Sequence, residues 1–157
     1  MTDPLPALPT ADAVAAILVT PDRRFLLQQR DELPGIWYPG CWSLFGGGID
    51  PGETELEALR RELREEIGFV PEHASLFTRF HFDLGFAGGR VHFRTFFEVP
   101  ILPEAMATMT LGEGRAMQLM PADEALAAVP TTGYDQFALY LYVHRARIRP
   151  RRPDRPG

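Results

Sequence analysis

The chain has 157 residues and a mass of 17.6 kDa, enough for one sizeable core and too little for two domains of ordinary length. Apolar residues make up 45% and charged residues 24%, which excludes a wholly disordered chain, and the longest apolar run, Ala13–Val19, is far shorter than the roughly 20 residues of a membrane helix. The N-terminus carries acids and prolines where a secretory signal would carry basic residues, and Cys41 is the single cysteine, so an intrachain disulfide framework is excluded and a cytoplasmic location is expected.

All 16 basic residues are arginine, and six of them fall within residues 145–157. Residues 1–144 keep 10 arginines against 20 acids, a net charge of −10. A domain this acidic repels the phosphate backbone, so no stable nucleic-acid partner is expected, whereas divalent cations would offset the charge locally. Residues 1–11 and 148–157 are proline-rich and read as flexible ends, the second as a solvated arginine-rich tail, leaving a domain at 12–147.

Residues 13–20 are apolar and β-branched, and 24–29 resume an extended pattern, so the two segments predict a hairpin around Pro21, Asp22 and Arg23. The stretch 31–40 is broken by Pro34, Gly35, Pro39 and Gly40 and predicts a loop, followed by a short strand at 41–45 and three glycines, Gly46 to Gly48. Thr54 with Glu57 forms a capping box, and Leu56, Leu59, Leu63 and Ile67 give an apolar face to a helix of about 13 residues. Gly68 is placed as its stop. Residues 76–84 and 90–99 alternate as strands around an FAGG turn, with Phe80, Phe82 and Leu84 on one face of the first and Val91, Phe93, Thr95 and Phe97 on one face of the second. A strand at 116–120, a helix at 121–128 and a longer helix at 134–147 complete an α/β chain whose order predicts a mixed sheet between helices.

The predicted helix after the glycines carries the chemistry. Glu62 and Glu66 are four residues apart and Glu65 lies beside them, so three carboxylates are expected to converge. Glu65 and Glu66 occupy the last turn, where the negative end of the helix dipole disfavours acids by about 0.3–1 kcal/mol each. That placement makes sense if a cation occupies the site. An oxygen-only set suits Mg²⁺ or Mn²⁺ and not zinc, and Mg²⁺ bound by carboxylates also takes waters and substrate phosphates. Gly46 to Gly48 would let backbone and substrate come close. A solvated helix face, with Arg60, Arg61 and Arg64 pairing to the glutamates, is the alternative.

Residues 47–69, GGIDPGETELEALRRELREEIGF, decide between them. They match the Nudix box GX5EX7REUXEEXGU at Gly47, Glu53, Arg61, Glu62, Leu63, Glu65, Glu66, Gly68 and Phe69. Seven fixed identities would coincide by chance on the order of once in 10⁹ starting positions. The sequence therefore resembles the Nudix hydrolases over most of residues 12–145, which implies an α/β/α sandwich around a mixed sheet. The resemblance implies metal-assisted water attack on a nucleoside diphosphate linked to another moiety, such as a nucleoside triphosphate, an oxidised one, or a nucleotide sugar. It makes Glu62, Glu65 and Glu66 metal ligands, with the carbonyl of Gly46 beside them. Glu53 and Arg61 become a structural pair that ties the loop to the helix, with Gly47 and Gly68 as the box's fixed turns. The general base stays open between Glu62 and a glutamate outside the box. Many relatives dimerise, so a homodimer is included in what the resemblance implies.

Outside the box, Glu113 in the Gly-flanked loop TLGEGRAM is the first further acid, against an ordinary loop acid, and Glu98 is the second, against a surface role. Trp37, Tyr38, Phe86, Arg90 and Tyr134 are candidates to stack on or pair with the base or leaving moiety, against ordinary core packing. Arg30 is placed to reach a phosphate, against a plain surface arginine. His81 and His92 read as packing residues within strands, and Cys41 as a small buried residue. Phe45 stands where many relatives carry proline, and residues 84–87 lack the Pro or Tyr that marks some ADP-ribose and dinucleoside polyphosphate hydrolases, which disfavours those substrates. Two other classes compete. A non-catalytic Nudix-fold nucleotide-binding regulatory module would usually lose box carboxylates that are retained here. Isopentenyl diphosphate isomerase shares the fold, but its cysteine context and metal-binding histidines are not evident.

Overall fold

The computed structural model describes residues 11–148. The expected flexible ends therefore lie outside the described residues, apart from Ala11 and Ile148. β1 (Ala13–Val19) and β2 (Arg24–Gln29) form the expected antiparallel hairpin, closed by the Arg23 N–H donating to the Thr20 carbonyl at 2.9 Å. β3 (Trp42–Ser43) is followed by α1 (Glu55–Ile67), β4 (Ser75–Asp83), β5 (Val91–Pro100), β6 (Ala116–Pro121), α2 (Ala122–Ala127), α3 (Gly133–Val143) and α4 (Arg145–Ile148). The sheet runs β3-β2-β1-β5-β4, with β6 paired to β2. β1 and β5 are parallel and the remaining strand pairs antiparallel, so the sheet is mixed as expected.

Two cores flank this sheet. Val14, Ala16, Leu18, Phe97 and Val99 turn to α1, where they meet Ala58, Leu59, Leu63 and Ile67. Ala15, Ile17, Val19, Phe25 and Phe96 turn the other way, to Ala125 of α2 and Ala138, Leu139 and Tyr142 of α3. This is the expected α/β/α sandwich. The continuous apolar run of β1 follows from its position, because a central strand must bury both faces.

The structure departs from the sequence expectations in four places. The strand expected at 41–45 pairs with β2 over Trp42 and Ser43 alone, because the chain then changes partner and bridges to β1 at Phe45 and Gly48. β5 does not have one apolar face: Phe96 and Phe97 are both buried, on opposite sides, because helices cover the sheet on both. The helix expected at 134–147 breaks at His144, where the backbone leaves helical geometry (φ −96°, ψ 7°) and α4 starts anew. Residues 103–108 form a 3₁₀ segment begun by Pro103, which the sequence reading left without structure.

Leu63 is fully buried in the α1 core. Leu63→Ala is expected to lower stability by about 2–5 kcal/mol in denaturant unfolding. A loss below about 1 kcal/mol would mean that α1 does not close this side of the sheet.

Candidate active site

α1 begins and ends as its sequence dictates. The Thr54 hydroxyl accepts from the Glu57 N–H, the Glu57 carboxylate accepts from the Thr54 N–H, and Gly68 takes the left-handed conformation at φ 67°. The N–H groups of Gly68 and Phe69 return to the carbonyls of Arg64 and Leu63. Two further carbonyls of the last turn are met by another segment: Thr110 donates to Ile67 O at 3.1 Å and Gly112 to Glu66 O at 2.7 Å. These bonds seat the loop that carries Glu113 on the C-terminal end of α1.

Glu66 is buried at 6% exposure. Its Oε2 accepts from the Gly46 N–H at 2.8 Å and its Oε1 from Gln28 Nε2 at 3.1 Å. Burial pushes its carboxyl up to about 7 despite those two donors, and the charges of Glu62 and Glu113 add to the rise. Glu62 is also shifted upward, by burial first, with Arg61 pulling against it and Glu65 and Glu113 reinforcing it. Glu113 and Glu66 line a cavity of about 260 Å³ together with Gln28, Arg30, Asp31 and Ile36.

The glycines have specific causes. A Cβ on Gly46 would stand 2.2 Å from the Val14 carbonyl oxygen, and its φ of 139° is one that other residues avoid. A Cβ on Gly47 would stand 2.6 Å from the carboxyl carbon of Glu62, so that carboxylate packs directly on the loop. The carbonyls of Phe45 and Gly47 accept from Ala16 and Val14 of β1, and that of Gly48 accepts from Arg61 Nη2. The Gly46 carbonyl is not among these.

Arg61 organises the other side. Its Nε and Nη2 grip Glu53 at 2.7 and 2.9 Å, Nη2 also reaches Gly48 O at 2.9 Å, and Nη1 donates to Glu62 Oε1 at 2.7 Å. Glu53 also accepts from the Asp50 N–H at 3.0 Å. One guanidinium thus binds the loop carrying Glu53, the glycine segment and an acid of the box. Glu65 is exposed, with a long contact to Arg61 at 3.5 Å, and reaches Glu62 through its charge. Among the described residues no group of three His, Cys, Asp or Glu side chains stands ready to enclose an ion. The carboxylates that influence one another most closely around Glu66 are Glu62 and Glu113.

The other sequence candidates separate clearly. Arg30 lines the acidic cavity and donates from Nε to the Trp37 carbonyl at 2.8 Å. Trp37, Tyr38 and Tyr134 line a second cavity of about 120 Å³, with Phe82, His92 and Arg94. Loop 31–40 is the common wall, giving Ile36 to one cavity and Trp37 and Tyr38 to the other. Arg90 is exposed at the turn before β5 and lines neither cavity, and Phe86 is 89% exposed. Glu98 is half-buried and pairs with the buried Tyr142, on the side of the sheet away from α1, so it stands apart from the box carboxylates. Cys41 is buried and its thiol is shifted up by that burial. His81 is exposed, whereas His92 is buried.

Sequence reasoning missed Gln28, Arg94 and Asp135. Arg94 Nε donates to Asp135 Oδ1 at 3.1 Å, and Asp135 Oδ2 accepts from the Leu44 N–H at 3.1 Å and the Thr132 hydroxyl at 2.8 Å. Burial works against the charge of Arg94, but Asp135, then Tyr134 and Glu66, hold its pKa above the ordinary value. The available signal was a polar residue inside an apolar strand: Gln28 in RFLLQQ and Arg94 in VHFRTFF.

The Glu53 carboxyl is held down at about 2 by Arg61 first and then by the Asp50 N–H. Its contribution to stability is therefore present above the ordinary glutamate pKa of about 4.5 and is lost as pH falls toward 2. Glu53→Gln is expected to lower the melting temperature at pH 7, and the difference from the unaltered protein is expected to narrow at pH 3. A difference that stays constant across that range would show that the charge of Glu53 plays no part.

The NUDIX domain family profile matches residues 9–140. A stretch of 51 residues is 49% identical to the nucleoside triphosphatase NudI of Escherichia coli, covering 32% of this chain and 36% of that protein, so the chain spans about a third of the curated relative it matches. Among solved structures, the ORF135 protein of Escherichia coli is 26% identical with a TM-score of 0.72, over 92% of this chain and 96% of that one. A MutT protein of Methanosarcina mazei superposes with a TM-score of 0.71 at 20% identity, over 89% and 99%, which is a likeness of fold. With the family profile spanning most of its length and the box intact on α1, the chain belongs to the Nudix family.

Proposed function

We propose that the chain is a divalent-metal-dependent pyrophosphohydrolase acting in the cytoplasm on a nucleoside diphosphate linked to another moiety. The observation that carries this reading is Glu66, an acid buried beside Glu62 and Glu113 with its carboxyl pushed up to about 7. Structural economy would put a neutral side chain there. The donor set fits Mg²⁺ or Mn²⁺, being all oxygen, and a cation would relieve the repulsion among these carboxylates. Glu62, Glu65, Glu66 and the Gly46 carbonyl would hold the metal, with Glu113 beside them. A metal bound there would supply charge neutralisation of the diphosphate and a lowered pKa for an attacking water.

The protein groups have separable tasks. Gln28 and the Gly46 N–H orient the Glu66 carboxylate, and Arg61 fixes the loop and Glu62 against it. Arg30, on the wall of the acidic cavity, is placed to meet a substrate phosphate, and the neighbouring aromatic cavity offers flat surfaces to a base. Glu62 and Glu113 are the candidates to take a proton from water. The nearest competing reading is a non-catalytic nucleotide-binding module. The Nudix domain of Shewanella oneidensis NrtR, solved in complex with ADP ribose, has the same fold with a TM-score of 0.70 at 20% identity. The complete set of box carboxylates favours the hydrolase.

Incubation with Mg²⁺ and a panel of nucleoside triphosphates, oxidised nucleotides and nucleotide sugars, with the products identified, tests the activity. Glu66→Gln is expected to lower turnover by about a hundredfold or more, the scale of the several kcal/mol a metal site contributes. The raised pKa of Glu66 means that its ionisation costs stability as pH rises through about 7. The metal-free Gln variant is therefore expected to melt at or above the unaltered protein at pH 8. Unchanged turnover in a folded Glu66→Gln protein would remove Glu66 from the metal site, and no Mg²⁺-dependent turnover of any member of the panel would remove the hydrolase reading.

A further inference from the structure

The aromatic cavity beside the acidic one contains polar groups that the hydrolytic chemistry does not use. His92 is buried at 6% exposure, lines this cavity, and its Nδ1 has no hydrogen-bond partner among the described residues. Buried polar atoms of native proteins are almost always partnered, so an unpartnered imidazole nitrogen on a residue that lines a cavity points to a group brought by a ligand. Arg94, two residues further along the same face of β5, lines the same cavity. Its Nε is committed to Asp135, its guanidinium carbon lies 4.8 Å from the centroid of the Tyr134 ring, and Asp135 is itself fixed by Leu44 and Thr132. The fork is thus held in place before any ligand arrives.

The lining states what would fit. Trp37, Tyr38, Phe82 and Tyr134 supply aromatic walls, with Tyr38 and Tyr134 edge to face at 5.5 Å. A volume of about 120 Å³ suits one flat ring system and not an extended chain. A guanidinium has donors and no acceptor, so the complementary ligand edge carries acceptors. Guanine and uracil present carbonyl oxygens, whereas adenine has only ring nitrogens as acceptors and puts an exocyclic amino donor where guanine has its carbonyl, so part of its edge would oppose donor to donor.

We propose, resting on the reading of the chain as a nucleotide hydrolase, that this cavity takes the base and that Arg94 with His92 selects keto bases over adenine. His92 Nδ1 donates or accepts according to its tautomer, so it pairs with the ring group adjoining the carbonyl that Arg94 holds.

The test uses the full chain without metal, so that no hydrolysis intervenes, and calorimetric titration with GMP, UMP and AMP. At least one of GMP and UMP is expected to bind about tenfold tighter than AMP, and their comparison tells a purine site from a pyrimidine site. His92→Phe keeps a flat ring and removes the unpartnered nitrogen, and Arg94→Lys keeps the charge and removes the planar fork. Each is expected to reduce the keto-base preference about tenfold while leaving AMP binding within about twofold, and His92→Phe is expected to keep or raise the melting temperature. A merely structural His92 would instead lose stability and weaken all three ligands alike. AMP binding as tightly as both others, or an equal loss for all three in folded His92→Phe, would overturn the proposal. If Arg94→Lys fails to fold, the His92→Phe result decides. Absence of Mg²⁺-dependent hydrolysis would overturn the hydrolase reading and leave this binding preference measurable, so the two failures are distinct.

Discussion

The bond from the Gly46 N–H to the carboxylate of Glu66 is the constraint on which the site depends. It joins the last turn of α1 to the glycine segment after β3, and it does so with an acid that burial disfavours. For the bond to form, the glycine segment must lie against β1 so tightly that a side chain on Gly46 would enter the Val14 carbonyl. Gln28 of β2 must also reach the second carboxylate oxygen. Three elements distant in sequence are therefore fixed relative to one another by one side chain. The stability lost by charging Glu66 is a local conflict of the kind that proteins retain at functional sites.

The two cavities follow from the same frame. β3 is only two residues long because the chain leaves β2 to reach β1, and this short passage sends one amide, Leu44 N–H, to Asp135 and another, Gly46 N–H, to Glu66. The first anchors the buried Arg94–Asp135 pair beneath the aromatic cavity, and the second anchors the acidic cavity. Loop 31–40 bridges them, tied at Arg30 to the Trp37 carbonyl. The acidic and the aromatic cavity are thereby positioned relative to each other by backbone rather than by flexible side chains.

Much of this was legible in the linear order. The capping box at Thr54 and Glu57, the periodic leucines and the Gly68 stop are local signals, and α1 occupies the 13 residues they mark. The Glu53–Arg61 pair was also legible, since its spacing belongs to the box. Glu65 was less so: its spacing on the helix predicts convergence with Glu62 and Glu66, yet it is exposed, because the angle at which α1 packs turns Glu66 inward and leaves Glu65 toward solvent. Phe86 and Arg90 stand on or beside an exposed turn and line neither cavity, a placement that the spacing of residues along the strands does not reveal.

By itself, the sequence determined the helix, its caps, the hairpin and the family-bearing carboxylates, because each rests on contacts within a few residues or on a fixed spacing. Only the tertiary structure decided that Glu66 is the buried acid of the box, that Glu113 shares a cavity with it, and that Arg94, held by Asp135, lines an aromatic cavity with His92. Those depend on how the Thr110–Gly112 backbone docks on the end of α1 and on which face of β5 meets α3, and packing across the sheet sets both, with no local signal in the chain.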